Sequence, residues 1–429
     1  MIRRTILEWE SLAYGEGDAA IPQDAADRIA AIAAASPLAS RDGSGVLDHG
    51  RNALRARGVI GVIAAQGCAL EILPKIDTPG HTGAAAAGHI RRRLIHMLAV
   101  ALDMRIEPGA VTDLDWQRET LLEILIRIFV AKLVDTVRQG MPRRYTAHAA
   151  DLPALRGRLD LMRQFTTLAA SPQKLACRFD TLSEDIPLNQ VMKAAVSRLA
   201  HVVRSADTQQ RLGELASAYA DVTSVTVPAL RWDSVVIDRT NARWRELVAL
   251  ARLLLGNRFQ TTSAGASIGF SLLFEMNTLF EEYIARMLAR ALIGTGQHVV
   301  AQGGRLYCLE TDEKRGLFQT KPDILVKRGD VVEQVIDTKW KRVSARIDDP
   351  KQGIAQADVY QMMAYGQLYC CPQLTLLYPH HYELGPAALR VSHRIAVAST
   401  VNRLELATID IATTADLMER LRAVCSAQS

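Results

Sequence analysis

The chain has 429 residues, 49% hydrophobic and 23% charged, a balance that excludes wholesale disorder. That length suits two or three domains, each large enough to bury its own core. With 51 Lys and Arg against 46 Asp and Glu the net charge is +5, which admits a polyanionic partner without requiring one. No uninterrupted apolar run reaches the roughly 18 residues that a membrane helix needs. The most apolar stretch, residues 121–134, carries Glu123, Arg127 and Lys132. Residues 1–10 have basic side chains but no hydrophobic region behind them, so no signal peptide is expected and the expected address is cytoplasmic. Six scattered cysteines without a Cys-x-x-Cys pair fit reduced thiols rather than a zinc site or a disulfide framework.

Residues 1–83 read as a β-rich domain. Two apolar runs, 59–63 and 69–76, flank Gln66-Gly67 and predict a hairpin, with Pro74 pointing to an edge strand. The breaker cluster Thr78-Pro-Gly-His-Thr-Gly83 marks a boundary. Residues 84–262 then read as a helical middle, with apolar residues at helical spacing over 90–104, 118–139, 188–203, 208–220 and 240–255. Gly140 and Pro142 stop the second of these. The third domain, 263–429, begins with a predicted helix over 271–293. Strands are expected at 299–302, 306–309, 321–326 and 331–340, a helix at 356–369, strands at 374–378, 390–397 and 403–409, and a closing helix at 414–424. The whole is a mixed α/β layout, with helices packed on a central sheet in the C-terminal part.

The residues that can do chemistry concentrate there. Asp323 and the run Asp337-Thr-Lys339 fall in strands joined by the turn Lys327-Arg-Gly-Asp330. Side chains alternate along a strand, so Asp337 and Lys339 share a face, roughly 6.6 Å apart. Pairing around Gly329 brings Asp323 alongside Asp337. Two carboxylates and an ammonium are the parts of metal-assisted phosphodiester hydrolysis: the acids hold Mg²⁺, and the amine offsets charge on the phosphorane-like transition state. The same spacing also fits a cross-strand ion pair, but the neighbours Ile324, Val326 and Ile336 aim these acids at an interior. Gln361 and Tyr365, four apart on a helix, share a face and can reach a phosphate or water, or simply form a polar helix edge. Asp358, nearby, can cap or pack the same helix. Glu281 lies beside the apolar stripe of Leu273, Asn277, Phe280, Ile284 and Leu288, where it can turn inward as a third acid or stay exposed. Lys341, Arg342, Arg346 and Lys351, with Trp340 between, suit phosphate contacts along a duplex or a solvated loop. His380-His381 reads as a surface turn. There is no P-loop and no G-x-G-x-x-G.

Several ordered blocks carry a resemblance. Met276-Asn-Thr-Leu-Phe-Glu281, Lys321-Pro-Asp-Ile-Leu-Val326, Val335-Ile-Asp-Thr-Lys-Trp-Lys341, Asp358-Val-Tyr-Gln-Met-Met-Ala-Tyr365 and Leu376-Leu-Tyr-Pro379 form the C-terminal set. Leu70-Glu-Ile-Leu-Pro-Lys-Ile76, Arg156-Gly-Arg-Leu-Asp160 and Cys177-Arg-Phe-Asp-Thr-Leu-Ser-Glu-Asp185 add to it. Together they resemble the McrC family, the nuclease subunit of McrBC-type modification-dependent restriction systems. The resemblance implies a C-terminal PD-(D/E)xK restriction-endonuclease-like domain, with Asp323, Asp337 and Glu281 as metal-binding acids and Lys339 as the catalytic lysine. Gln361 and Tyr365 match the Q-x-x-x-Y element of the RecB-like branch. It further implies Mg²⁺, methylcytosine-modified double-stranded DNA as substrate, and an McrB-like AAA+ GTPase ring that the N-terminal part engages and stimulates. A non-catalytic adaptor that activates such a ring, or a stand-alone RecB-like repair nuclease, are the alternatives.

Overall fold

The computed structural model describes residues 2–39, 45–104, 112–171, 173–256, 259–264, 267–344, 353–395 and 403–425. Two compact units emerge: Met1–Glu107, Thr112–Leu122 and Arg258–Ser429 form one, and Pro108–Val111 with Glu123–Asn257 the other. None of the helices among the described residues is long and apolar enough to cross a membrane.

The first unit holds two large sheets. In the N-terminal one, strand Ile2–Leu7 pairs in parallel with Cys68–Leu73, which pairs with Val59–Ala65 in the expected hairpin. Gly67 provides the positive φ of the turn, at 77°. The second hairpin strand is interior, not an edge. Pro74 falls just past Leu73, so its missing N–H removes no ladder bond. Helix Gln23–Ala34 buries Ala25, Ala26, Ile29, Ile32 and Ala33, the helical spacing of one apolar face, in the core that Ile63, Leu70 and Ile72 share.

This sheet does not end with the N-terminal sequence. Its last two strands are Ser267–Glu275 and Phe259–Ala264. The predicted helix over 271–293 therefore starts late: residues 271–275 are strand, and the helix runs Met276–Ala291. The apolar run around Leu272, Leu273 and Phe274 fits either period, and pairing of Leu273 with Gly61 decides for strand. Gly61 is needed there. Its φ is 132°, and a Cβ would lie 1.9 Å from the Leu272 carbonyl oxygen. Gly61→Ala is expected to cost at least about 2–3 kcal/mol, read as a lowered denaturation midpoint. An unchanged midpoint contradicts this pairing.

The second large sheet has six strands in the order His298–Ala301, Ile324–Arg328, Val331–Thr338, Gln373–Pro379, Arg403–Ile409, Arg390–Arg394. The third, fourth and fifth run parallel, and the flanking pairs are antiparallel. Leu374 to Pro379 are all buried, the near-continuous apolar run of a strand covered on both faces. Helix Gln356–Leu368 supplies the crossover between the first two parallel strands, burying Met362 and Tyr365 against Val335, Leu374 and Leu376.

The spacing predicts a helical middle, but the second unit is not wholly helical. Its helices are present at Pro187–Ala200, Ala206–Ala218 and Arg245–Leu255, but it also contains a three-stranded antiparallel sheet, Arg144–Leu152, Leu175–Ser183 and Arg158–Leu159. Strand Arg144–Leu152 has no buried residue, so no hydrophobic alternation announces it.

Candidate active site

The turn at Gly329-Asp330 folds the Asp323 and Asp337 strands together, with Gly329 at φ 58°. The register pairs Ile324 with Ile336, so Asp323, one residue earlier, stands opposite Asp337. Burial of Ile324, Val326 and Ile336 holds the pair against the interior. Asp323 is fixed by Thr338, whose backbone N–H (2.8 Å) and hydroxyl (2.9 Å) both donate to Oδ2. Asp337 is 1% exposed. Lys339 Nζ lies 2.7 Å from its Oδ2 and is that oxygen's charged partner.

Burial pushes the Asp337 carboxyl up to about 6, and the facing Asp323 adds to the rise against the pull of Lys339. Asp323 is also raised by burial, opposed by its two Thr338 bonds. For Lys339 burial acts downward, but Asp337, Asp358 and Asp323 outweigh it and hold the amine more firmly protonated than usual. Asp358 does more than cap or pack its own helix. Its carboxylate approaches Lys339 at 3.9 Å and Lys341 at 3.4 Å, from the first turn of the crossover helix. Nothing in local spacing ties residue 358 to residue 339.

Gln361 Nε2 donates to the Tyr365 hydroxyl at 2.7 Å, as their i, i+4 spacing anticipates. Tyr365 is buried. Burial raises its phenol against the Gln361 bond, with Asp337 and Asp323 adding to the rise. Glu281 is half-buried on helix Met276–Ala291 and accepts from Gln302 Nε2 at 2.8 Å. Burial and then Asp323 push its carboxyl up. No group of three His, Cys, Asp or Glu side chains among the described residues is drawn together to hold an ion. The donor chemistry that is present is two facing carboxylates, that of Asp337 buried, with one ammonium against it. That fits a hard divalent cation held by one or two carboxylates and completed by water and substrate.

The basic segment does not form a run of free cations. Trp340 is 9% exposed and bonded inside the protein, Arg342 pairs with Asp77 at 2.6 Å, and Lys341 faces Asp358. Arg346 and Lys351 lie outside the described residues. His381 is buried, its Nε2 at 2.8 Å from the Val343 carbonyl, and His380 Nδ1 meets the Thr408 hydroxyl at 3.0 Å. Strand Arg403–Ile409 covers that corner, so it is no surface turn.

Fold and site define a mixed α/β protein whose C-terminal sheet carries a buried two-carboxylate, one-ammonium centre. The family model described as McrBC 5-methylcytosine restriction system component matches residues 54–379, and the chain belongs to that family. No curated protein matches it. Among solved structures, a chain of the refined half-complex from the tetradecameric assembly of Thermococcus gammatolerans McrB AAA+ hexamers with bound McrC is similar in fold. It has 21% identity, covers 99% of both chains and gives a TM-score of 0.70. A chain of the cryo-EM Thermococcus gammatolerans McrBC complex is 25% identical over 68% of this chain and 88% of its own, with a TM-score of 0.53.

Proposed function

We propose that this chain is the nuclease subunit of a modification-dependent restriction system. In this reading it is a cytoplasmic protein that cleaves methylcytosine-containing double-stranded DNA together with an AAA+ GTPase ring whose GTP hydrolysis it stimulates. The family and the likeness to structures of McrB with bound McrC support the partnership. The motor belongs to the partner, since this sequence has no P-loop. The C-terminal sheet with its crossover helix is read as a PD-(D/E)xK domain. The observation that carries the chemistry is the buried Asp337 carboxylate, opposite Asp323, with the Lys339 ammonium at 2.7 Å.

Asp323 and Asp337 would hold Mg²⁺, with Glu281 a further acid beside Asp323. Bound there, Mg²⁺ supplies Lewis acidity to a phosphoryl oxygen and lowers the pKa of water. The protein's own part is electrostatic and positional. Lys339, kept protonated by three carboxylates, would offset the negative charge that grows on the phosphoryl oxygens as a water oxygen bonds to phosphorus, one ester P–O bond breaks and a proton from the water ends, through solvent, on the leaving oxygen. Tyr365, held by Gln361, is the hydroxyl that this reading assigns to a phosphate or water.

Lys339→Ala is expected to lower cleavage of methylated plasmid on the order of 10²–10³-fold, assayed with the partner ring, GTP and Mg²⁺. Stimulation of the partner's GTPase should persist. Cleavage at the wild-type rate rejects the site, and loss of stimulation alone points to an adaptor whose acids play no part.

A further inference from the structure

The catalytic strand ends at Thr338, so the ladder alone does not fix the residues beyond it. Lys339 keeps two backbone bonds, donating to the Leu377 carbonyl at 2.9 Å and accepting from the Lys341 N–H at 3.0 Å. The next residue is pinned on three sides. Trp340 N–H donates to Asn277 Oδ1 at 3.0 Å, its ring meets Phe280 edge-on at 5.3 Å, and its indole N–H donates to Glu8 Oε1 at 2.6 Å. Glu8 lies 332 residues earlier, just past the first strand of the N-terminal sheet. It is itself held: its N–H donates to the Leu73 carbonyl at 2.9 Å, and its Oε1 accepts from the Lys75 N–H at 2.9 Å. Two residues beyond Trp340, Arg342 is tied at 2.6 Å to Asp77, which also accepts from the Tyr382 N–H at 2.6 Å.

Glu8 is 1% exposed, and its Oε2 finds no hydrogen-bond donor among the described residues. A carboxylate is a costly way to fill such a space, since an apolar side chain would pack there without desolvating a charge. What the carboxylate offers is a strong, directional acceptor for the indole. A lysine head on a flexible four-carbon stem depends on its backbone to stay within about 0.5 Å of a productive position.

We propose that Glu8 is a positioning residue for Lys339, acting through the indole of Trp340. The N-terminal part thus helps to hold the cleavage site from a residue just past its first strand. The proposal rests on the nuclease reading above.

The test compares Glu8→Ala, Glu8→Gln, Trp340→Phe and the Glu8→Ala/Trp340→Phe double variant. Each is assayed in the full chain with partner ring, GTP and Mg²⁺ on methylated plasmid, well below its melting temperature. Glu8→Ala and Trp340→Phe should each slow single-turnover cleavage about tenfold with DNA affinity within twofold of wild type, and the double variant should be no slower than either. Glu8→Gln keeps an acceptor and should recover most of the rate. In ¹⁵N-indole spectra the Trp340 N–H should exchange slowly with deuterium, and quickly in Glu8→Ala. Wild-type cleavage in Glu8→Ala and Trp340→Phe, or equal slowing in Glu8→Gln and Glu8→Ala, overturns the positioning role. If Lys339→Ala is inactive in the same assay, the nuclease reading survives that result. If Lys339→Ala cuts normally, both fall. Should Glu8→Ala not fold, Glu8→Gln, which keeps the packing volume, and Trp340→Phe, which keeps an aromatic ring against Phe280, still decide.

Discussion

Asp337→Asn should abolish DNA cleavage and yet melt at a higher temperature than the wild type at pH 8. The two effects have one cause. The Asp337 carboxyl is raised to about 6 from an ordinary 3.8, chiefly by burial and then by Asp323 opposite. Between those values the folded chain binds more protons than the unfolded one, so stability falls as pH rises through that window, and the deficit is complete above it. The shift already includes the pull of Lys339, so the variant should gain on the order of 1–3 kcal/mol. The gain should vanish near pH 4. For the same reason Mg²⁺ or Mn²⁺ affinity of the wild type should weaken as pH drops below about 6, since the ion must displace a proton. Cleavage should fall on the order of 10³-fold or more. Thermal melts of both proteins across pH 4–8 check the stability half. A variant that melts lower than wild type at pH 8 shows that Asp337 carries no desolvation strain.

Glu71→Ala should be the most destabilising single change in the N-terminal part. Glu71 accepts from Arg91 Nη2 at 2.6 Å and Nε at 3.0 Å, from the Leu121 N–H at 2.8 Å and from the Thr5 hydroxyl at 3.0 Å. Its side chain is 1% exposed and that of Arg91 6%. Arg91 Nη1 in turn donates to the Trp116 carbonyl at 2.8 Å. One ion pair therefore joins two strands, helix Gly83–Ala101 and the start of helix Leu121–Arg138. Removing the carboxylate strands a buried guanidinium, which costs about 3–5 kcal/mol. A drop in melting temperature of about 10 °C is expected for a unit of this size. Replacing both partners by methionine should recover most of that loss, because no charge is then left unpaired. A single-variant loss under 1 kcal/mol would show that the network carries little.

Spacing along the chain makes several features legible. The strand–turn–strand around Gly329 needs only two apolar runs and a glycine, so the meeting of Asp323 with Asp337 can be read from residues 321–339. The Gln361–Tyr365 contact is set by one helical turn. The ordered blocks point to the family that the match over residues 54–379 establishes. Tertiary structure alone decided which distant segments complete these local pieces. Strand Ser267–Glu275 joins a sheet begun at Ile2, because its apolar run satisfies either period until Val59–Ala65 offers it an edge. Asp358 reaches Lys339 and Glu8 reaches Trp340 through the path of the chain, not through any spacing within it. Hydrogen bonds and charges act over a few ångströms of space, whereas a sequence displays only distance along the backbone.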